Sequence, residues 1–285
     1  MKFLEWTPEL AKSFWNDLGG SDFLANIAFS RHAAQYLVEL CEQYLNEESV
    51  ALDFGSGFNA YLARELLKKG TFVKIYEPSI DETKLPHEIR KNQKFLGADQ
   101  TVASNGYDII FAVEVLEHLF ENDLRPVLTK LYAALKTNAV LVVTSPSQED
   151  LVLASRYCPV CRHLFHPWGH LRSFDKDSMQ KLLESSGFTC ETILNVDFSS
   201  TRDSIEELKR VKRILISQAE EADLLLRNSN FSEKARRLML SRGARGLLEK
   251  IAEWKNIVNR AELCENPNER QIGAGGTLVA FARKI

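Results

Sequence analysis

The sequence predicts an α/β fold: a doubly wound, mostly parallel seven-stranded sheet with N-terminal helices and a helical insertion before the last strand. Three observations predict it. Short apolar segments alternate with amphipathic segments of helical period from residue 49 onward. A glycine turn joins the first of these strands to the first helix. Residues 201–264 carry helical spacing alone, after which the chain returns to a strand-like end, "GTLVAFARKI".

The elements follow in order. "WTPE" (6–9) reads as a helix start, with Thr7 as N-cap and Pro8 in the first turn. A second helix, about 30–44, places Ala33, Tyr36, Leu37, Leu40 and Cys41 on one face. "SVALDF" (49–54) is a strand, and "NAYLARELLKKG" is a helix closed by Gly70. "TFVKIYE" (71–77), "KFLGAD" (94–99) and "YDIIFAVEV" (107–115) are strands. "LRPVLTKLYAALKTN" is an amphipathic helix, and "AVLVVTSP" is a strand closed by Pro146. "DKDSMQKLLESSGF" is a helix ending at Gly187, and "TCETILNVDF" is the sixth strand. Ile205, Leu208, Val211, Leu215, Ala222 and Leu225, then Leu247, Leu248, Ile251, Trp254 and Val258, follow helical spacing. The resulting division is an N-terminal helical lid (1–48), a main α/β domain (49–200 with 272–285) and a helical insertion (201–271).

Composition narrows the function. The chain has 285 residues, 45 % of them hydrophobic, and a net charge of −3. That balance gives no general attraction to nucleic acid or to an anionic membrane. The apolar runs fall well short of the ~20 residues of a membrane span. The first residues lack the pattern of a secretory signal. Five cysteines with one close pair do not form a disulfide framework, so a cytoplasmic protein is expected.

"ALDFGSGFNA" (51–60) has the form D-x-G-x-G between strand and helix. Glycines permit the tight turn and let a ligand approach backbone N–H groups at the helix start. Gly55, Gly57 and Ala60 also satisfy G-x-G-x-x-G/A, with Glu77 22 residues beyond Gly55, so a nicotinamide dinucleotide stays open on this turn alone. Asp53 suits the cationic amino group of a ligand better than a pyrophosphate. With "EVLEHL" (114–119) ending the fourth strand and "ALKTNAVLVVTSP" forming helix, turn and fifth strand, the set resembles the class I S-adenosylmethionine-dependent methyltransferases. The resemblance runs from about Val50 to Thr192, with Gly276–Ile285 as the family's last, antiparallel strand, and implies the Rossmann-like fold of that family. It implies that Asp53, Gly55 and Gly57 hold the methionine part of S-adenosyl-L-methionine, and that Glu77 takes the ribose hydroxyls. By the same resemblance Asp99 lies near the adenine amine, while Glu114 and His118 line the cofactor and open toward the acceptor. Asn59 stands where the family often has a third glycine. Glu117 reads as a helix-start charge.

"YCPVCRHLFHPWGH" (157–170) packs two cysteines and three histidines into fourteen residues. Cys158, Cys161, His166 and His170 give C-x2-C-x4-H-x3-H, a ligand set that zinc prefers and that would close a structural site. The other reading is ordinary thiols, with the histidines as pocket walls. The surrounding "SQEDL" and "GHLRSF" resemble a subgroup of these methyltransferases associated with glycan pathways. If His170 binds zinc it is not a free base.

The expectation is therefore a methyltransferase acting on oxygen of a small-molecule or glycan acceptor, phosphorylated or lipid-linked in one version, with no nucleic-acid substrate and no membrane span. An alcohol benefits from a general base, for which His118 and His170 are the candidates, with Glu114, which also serves the cofactor, behind them; Arg172 suits an anionic acceptor group. The insertion holds fourteen Lys and Arg against ten Asp and Glu over 201–264, which suits a solvated face, an anionic acceptor or a homodimer contact. The alternatives are a nicotinamide-dependent oxidoreductase and a non-catalytic binding protein of the same fold.

Overall fold

Strand β2 (Val50–Phe54) and helix α4 (Tyr61–Lys68) begin the alternating core. In this computed structural model the described residues are 2–19, 21–78, 82–196, 198 and 276–285. The helices expected within 201–271, with their basic runs, lie outside the described residues. Strands β3 (Phe72–Tyr76), β4 (Phe95–Asp99), β5 (Tyr107–Val113), β6 (Leu135–Pro146), β9 (Thr189–Val196) and β10 (Thr277–Arg283) complete the main sheet with β2. Its order is β4-β3-β2-β5-β6-β10-β9. Strands β2 to β6 pair parallel, and β10 runs antiparallel between β6 and β9. The expected doubly wound, seven-stranded sheet is present.

The alternation of side chains builds two cores. Ala51, Ile109, Phe111, Val142, Val279 and Phe281 face one side of the sheet, where Ala33, Leu37, Leu62 and Leu66 cover them. Leu52, Ile110, Ala112, Val143, Leu278 and Ala280 face the other, under Leu128, Leu131, Met179 and Leu183. A strand buried on both faces needs the near-continuous apolar run that "YDIIFAV" supplies.

Helix α1 (Pro8–Gly19) begins where expected: Leu10 N–H donates to Thr7 Oγ1 at 3.2 Å. Helix α3 (Phe29–Leu40) starts close to the expected position and stops at Cys41. Its buried stripe is Ala33, Ala34, Leu37 and Val38, while Tyr36 and Leu40 are only half-buried. Small residues take the closest contact because α3 packs directly on α4. A six-residue helix, α2 (Asp22–Ile27), precedes it, capped by Ser21, whose side chain accepts from Leu24 N–H at 3.2 Å. After the single-turn helix α5 (His87–Arg90), helix α6 (Glu121–Ala134) ends four residues before the expected boundary, because Leu135 is already extended and pairs with Tyr107. Helix α8 (Lys176–Ser185) opens with a capping box between Asp175 and Ser178.

A second sheet was not foreseen. β1 (Lys2–Phe3), β7 (Arg156–Tyr157) and β8 (His163–Phe165) form three short strands in the order β1-β8-β7. Two- and three-residue strands carry no periodicity to read. They join the N-terminus to the loop region after β6, where α7 (Leu151–Ala154) also lies. Among the described residues no helix is long and apolar enough to cross a membrane.

Candidate active site

The glycine turn leaves β2 with Gly55 at φ +75° and Gly57 at φ +64°, a region L side chains rarely adopt. Gly55 N–H donates to the Tyr76 carbonyl at 2.8 Å. A Cβ at Gly55 would lie 2.7 Å from Val115 Cγ2, so the turn presses on the loop after β5. A Cβ at Gly57 would meet nothing within 4 Å: this backbone faces open space. Gly57 N–H donates to Glu77 Oε2 at 3.2 Å, which brings the acid after β3 across to the turn.

Asp53 lies beneath. It is 2 % exposed, and its Oδ2 accepts from Ala63 N–H in the first turn of α4 at 3.1 Å. Its carboxylate therefore ties the turn to the helix. Burial raises its pKa from 3.8 to about 7, against the lowering effect of the Ala63 N–H. The stabilisation linked to this proton is complete below about pH 4 and is lost as pH rises through about 7. Over that window the loss is on the order of 4 kcal/mol. Asp53→Asn is expected to flatten this fall, read as the denaturant midpoint at pH values on either side of neutral. A wild-type slope retained in the variant would remove Asp53 as its source.

Asp99 ends β4 at the same sheet edge, with its carboxylate committed locally. Lys74 Nζ pairs with it at 2.7 Å, and the Thr101 N–H and hydroxyl donate to it at 3.0 and 2.8 Å. Lys74 first, then Thr101, lowers its pKa to about 2. The structure thus gathers Asp53, Gly55, Gly57 and Glu77 at one turn and leaves Asp99 turned to its own neighbours.

The loop after β5 carries the next group. Glu114 has φ +52°, a strained value for a long side chain. Thr144 holds it there: Glu114 N–H donates to Thr144 O and Oγ1 at 3.2 and 3.1 Å, and the Thr144 hydroxyl donates to Glu114 Oε1 at 2.8 Å. Burial raises the Glu114 pKa to about 7. Glu117 is fully buried in the short turn Leu116–His118, and burial, helped by Glu114, raises its pKa well above the usual carboxylate range. Glu117 stands at the start of this short helical turn, as expected, and its burial comes from the loop folding under the 166–172 segment, where Leu171 N–H donates to the Glu117 carbonyl at 2.8 Å. His118 stands edge-on to Trp15 and to His170, with ring centroids 5.1 and 4.8 Å apart. Burial, then His170, lowers its pKa to about 3, so the imidazole is neutral.

His170 and His166 stack at 4.2 Å between centroids and share one carboxylate. His166 Nε2 lies 3.2 Å from Glu149 Oε1, and His170 Nδ1 lies 2.5 Å from Glu149 Oε2. His166 Nδ1 accepts from His170 N–H at 3.1 Å, which places the proton of His166 on Nε2, toward Glu149. The two imidazoles outweigh partial burial and lower the Glu149 pKa to about 2. Beside them opens a cavity of about 560 Å³, walled by Phe3, Trp6, Phe120 and Phe165, with His166, His170 and Arg172 as its polar side. Arg172 Nη2 donates to the Leu119 carbonyl at 2.6 Å and pairs with exposed Glu121 at 3.4 Å.

The four expected zinc ligands do not converge. Cys158 and Cys161 occupy the tip of the β7–β8 hairpin, where the N–H groups of Cys161 and Val160 and the Cys161 thiol lower the Cys158 pKa. Cys161 is exposed. Strand β8 then carries the chain away from the tip before His166 turns inward to Glu149. Among the described residues, the groups of three or more ligand atoms within 4.8 Å of one another contain no cysteine: they are Glu117–His118–His170 and Glu149–His166–His170. Glu117 and Glu149 are the residues sequence reasoning missed. "EVLEHL" and "SQEDL" mark their positions, but only the packing reveals their burial and partners.

A doubly wound sheet with a reversed last strand, a glycine turn and an acid after β3 is an arrangement that takes ligands outside the carboxyl ends of its strands. The family profile described as "Methyltransferase domain" matches residues 27–193, more than half of the chain, and the chain belongs to that family. It is an S-adenosylmethionine-dependent methyltransferase of class I, which sets aside the oxidoreductase and non-catalytic readings. The structure is similar to 1,6-didemethyltoxoflavin-N1-methyltransferase of Burkholderia thailandensis, solved with 1,6-didemethyltoxoflavin and S-adenosylhomocysteine. The TM-score is 0.56 at 13 % identity, over 100 % of this chain and 93 % of that chain. It is also similar to a SAM-dependent methyltransferase of Archaeoglobus fulgidus, with TM-score 0.50 at 14 % identity, over 92 % and 98 %. These likenesses show the fold. The comparison with curated proteins finds no match. The turn fits the cofactor: Gly57 leaves the space above it clear, and the Glu77 acceptor stands beside that space.

Proposed function

We propose that this methyltransferase acts on an oxygen of a small-molecule acceptor or of one unit of a glycan. One observation carries the reading. The loop after β5 abuts the glycine turn through Val115 and presents His118 to His170, and His170 lines the cavity. Cofactor turn, imidazole pair and cavity are therefore contiguous. S-adenosylmethionine supplies a methyl carbon activated on sulfur. Gly57 and Glu77 hold and orient the cofactor. The aromatic wall excludes water and aligns the acceptor. Its hydroxyl gives up its proton at the His118–His170 pair, which Glu149 orients from behind. Arg172 at the cavity wall supports an acceptor with an anionic group, phosphorylated or lipid-linked forms included. Trp15 on His118 and Trp6 against Gly169 support residues 1–48 as the lid over the site, with 49–200 and 272–285 as the catalytic domain.

The test is incubation with methyl-labelled S-adenosylmethionine and a metabolite extract, followed by mass spectrometry of the products. Label on an ether or ester oxygen is expected. Label on nitrogen or carbon alone would sink the oxygen reading and leave the methyltransferase itself in place.

A further inference from the structure

Glu117 is 0 % exposed, and among the described residues neither of its carboxylate oxygens has a hydrogen-bond partner. Beside it lie Glu114 and the Ser145 hydroxyl; the hydroxyl is close enough to ease the burial of the carboxylate, but Ser145 Oγ makes no hydrogen bond of full geometry. Burying an unpaired carboxyl costs several kcal/mol, so such an arrangement asks for a ligand. His118 Nδ1 is also buried without a partner. One ligand atom each of Glu117, His118 and His170 lies within 4.8 Å of the others.

We propose that Glu117, His118 and His170 hold a divalent first-row transition-metal cation such as Zn²⁺, Mn²⁺ or Fe²⁺. Two imidazoles and one carboxylate are a donor set for such ions that leaves coordination positions open. The surroundings of the two histidines support this independently. A ligating histidine ordinarily gives its second ring N–H to a carboxylate or carbonyl, which fixes the tautomer and turns the other nitrogen to the metal. His170 Nδ1 faces Glu149 Oε2 at 2.5 Å, leaving Nε2 for the metal. His118 hydrogen-bonds to the Gly169 backbone, and its Nδ1 is the unpartnered atom. Each imidazole is thus held through one ring nitrogen, which leaves the other, Nε2 of His170 and Nδ1 of His118, to ligate. This cation replaces the thiolate-bound zinc of the Cys/His pattern: His170 serves a buried carboxylate, and the cysteines stay at the hairpin tip.

His170 belongs both to this site and to the cavity wall, so a cation held there would border the acceptor side. Only this last role rests on the oxygen-acceptor reading: there the cation, in place of the imidazole lone pairs, would hold an acceptor hydroxyl and lower its pKa, the proton leaving to solvent through the cavity. The binding site itself does not depend on it.

The experiment is Co²⁺ titration of the chelator-treated full chain carrying Cys158→Ser and Cys161→Ser, read by visible absorption and by metal content. The expected result is one cobalt per chain, with d–d bands and no thiolate charge-transfer band in the cysteine-containing protein. Glu117→Gln and, separately, His118→Gln are each expected to weaken binding beyond the roughly 10–100-fold that loss of an outer partner costs. S-adenosylmethionine titration of every variant reports whether its fold is retained, and separates failure here from failure of the methyltransferase reading. Absence of cobalt uptake by the Cys158→Ser, Cys161→Ser protein would overturn the proposal. So would uptake that Glu117→Gln and His118→Gln leave unchanged.

Discussion

Gly57→Leu is expected to weaken S-adenosylmethionine binding by at least about a hundredfold, some 3 kcal/mol, while the protein still folds. The side chain would rise into the clear space above the turn, where a Cβ meets no protein atom within 4 Å. Its cost to the fold is therefore limited to a leucine at φ +64°, roughly 1–2 kcal/mol. Gly55→Ala separates the two effects. Its Cβ would strike Val115 Cγ2 at 2.7 Å, so it should lower the unfolding midpoint and disturb the Glu114–His118 loop as well. Calorimetric titration with the cofactor, beside thermal unfolding, reads both. A Gly57→Leu protein that binds the cofactor like the wild type would move the cofactor site away from this turn.

His170→Ala and His118→Ala are each expected to lower kcat by roughly 10²–10⁴-fold with cofactor affinity nearly intact. Both act on the acceptor proton, whether through a lone pair or through a cation that the pair holds. Glu149→Gln should cost less, about 10–100-fold, because it removes the charge behind His170 and leaves a side chain of similar shape. The split between kcat and cofactor affinity identifies the role: a structural defect would lower both. The measurement uses the acceptor found by isotope labelling. An unchanged kcat in His118→Ala and His170→Ala would take the imidazole pair out of the chemistry.

Much of the fold was legible because it rests on local pattern. "SVALDF" and "YDIIFAVEV" are strands buried on both faces, and such strands need nearly continuous apolar runs, whereas "TFVKIYE" alternates buried and half-buried residues. The glycine turn was legible because positive φ leaves few alternatives to glycine at Gly55 and Gly57. The three-stranded sheet was not legible, since strands of two and three residues carry no period, and β1 meets the β7–β8 hairpin through pairings, such as Lys2 with His163, between residues far apart in sequence. The end of α6 was misplaced because Leu135 suits a helix by propensity and is drawn into β6 by its pairing with Tyr107.

The site divides in the same way. The sequence by itself determined which residue types stand at the strand ends: Asp53, Gly55, Gly57 and Glu77 around a turn, then Glu114 and His118 after β5. Only the tertiary structure decided what they do to one another. It buried Glu117 beneath the 166–172 segment, turned His166 and His170 to Glu149, and kept Cys158 and Cys161 apart from them. Ligand spacing along a chain is one-dimensional, whereas an intervening strand spends its length carrying the next residue away. That is why C-x2-C-x4-H-x3-H, compact in sequence, opens into a hairpin tip and a buried carboxylate–histidine cluster.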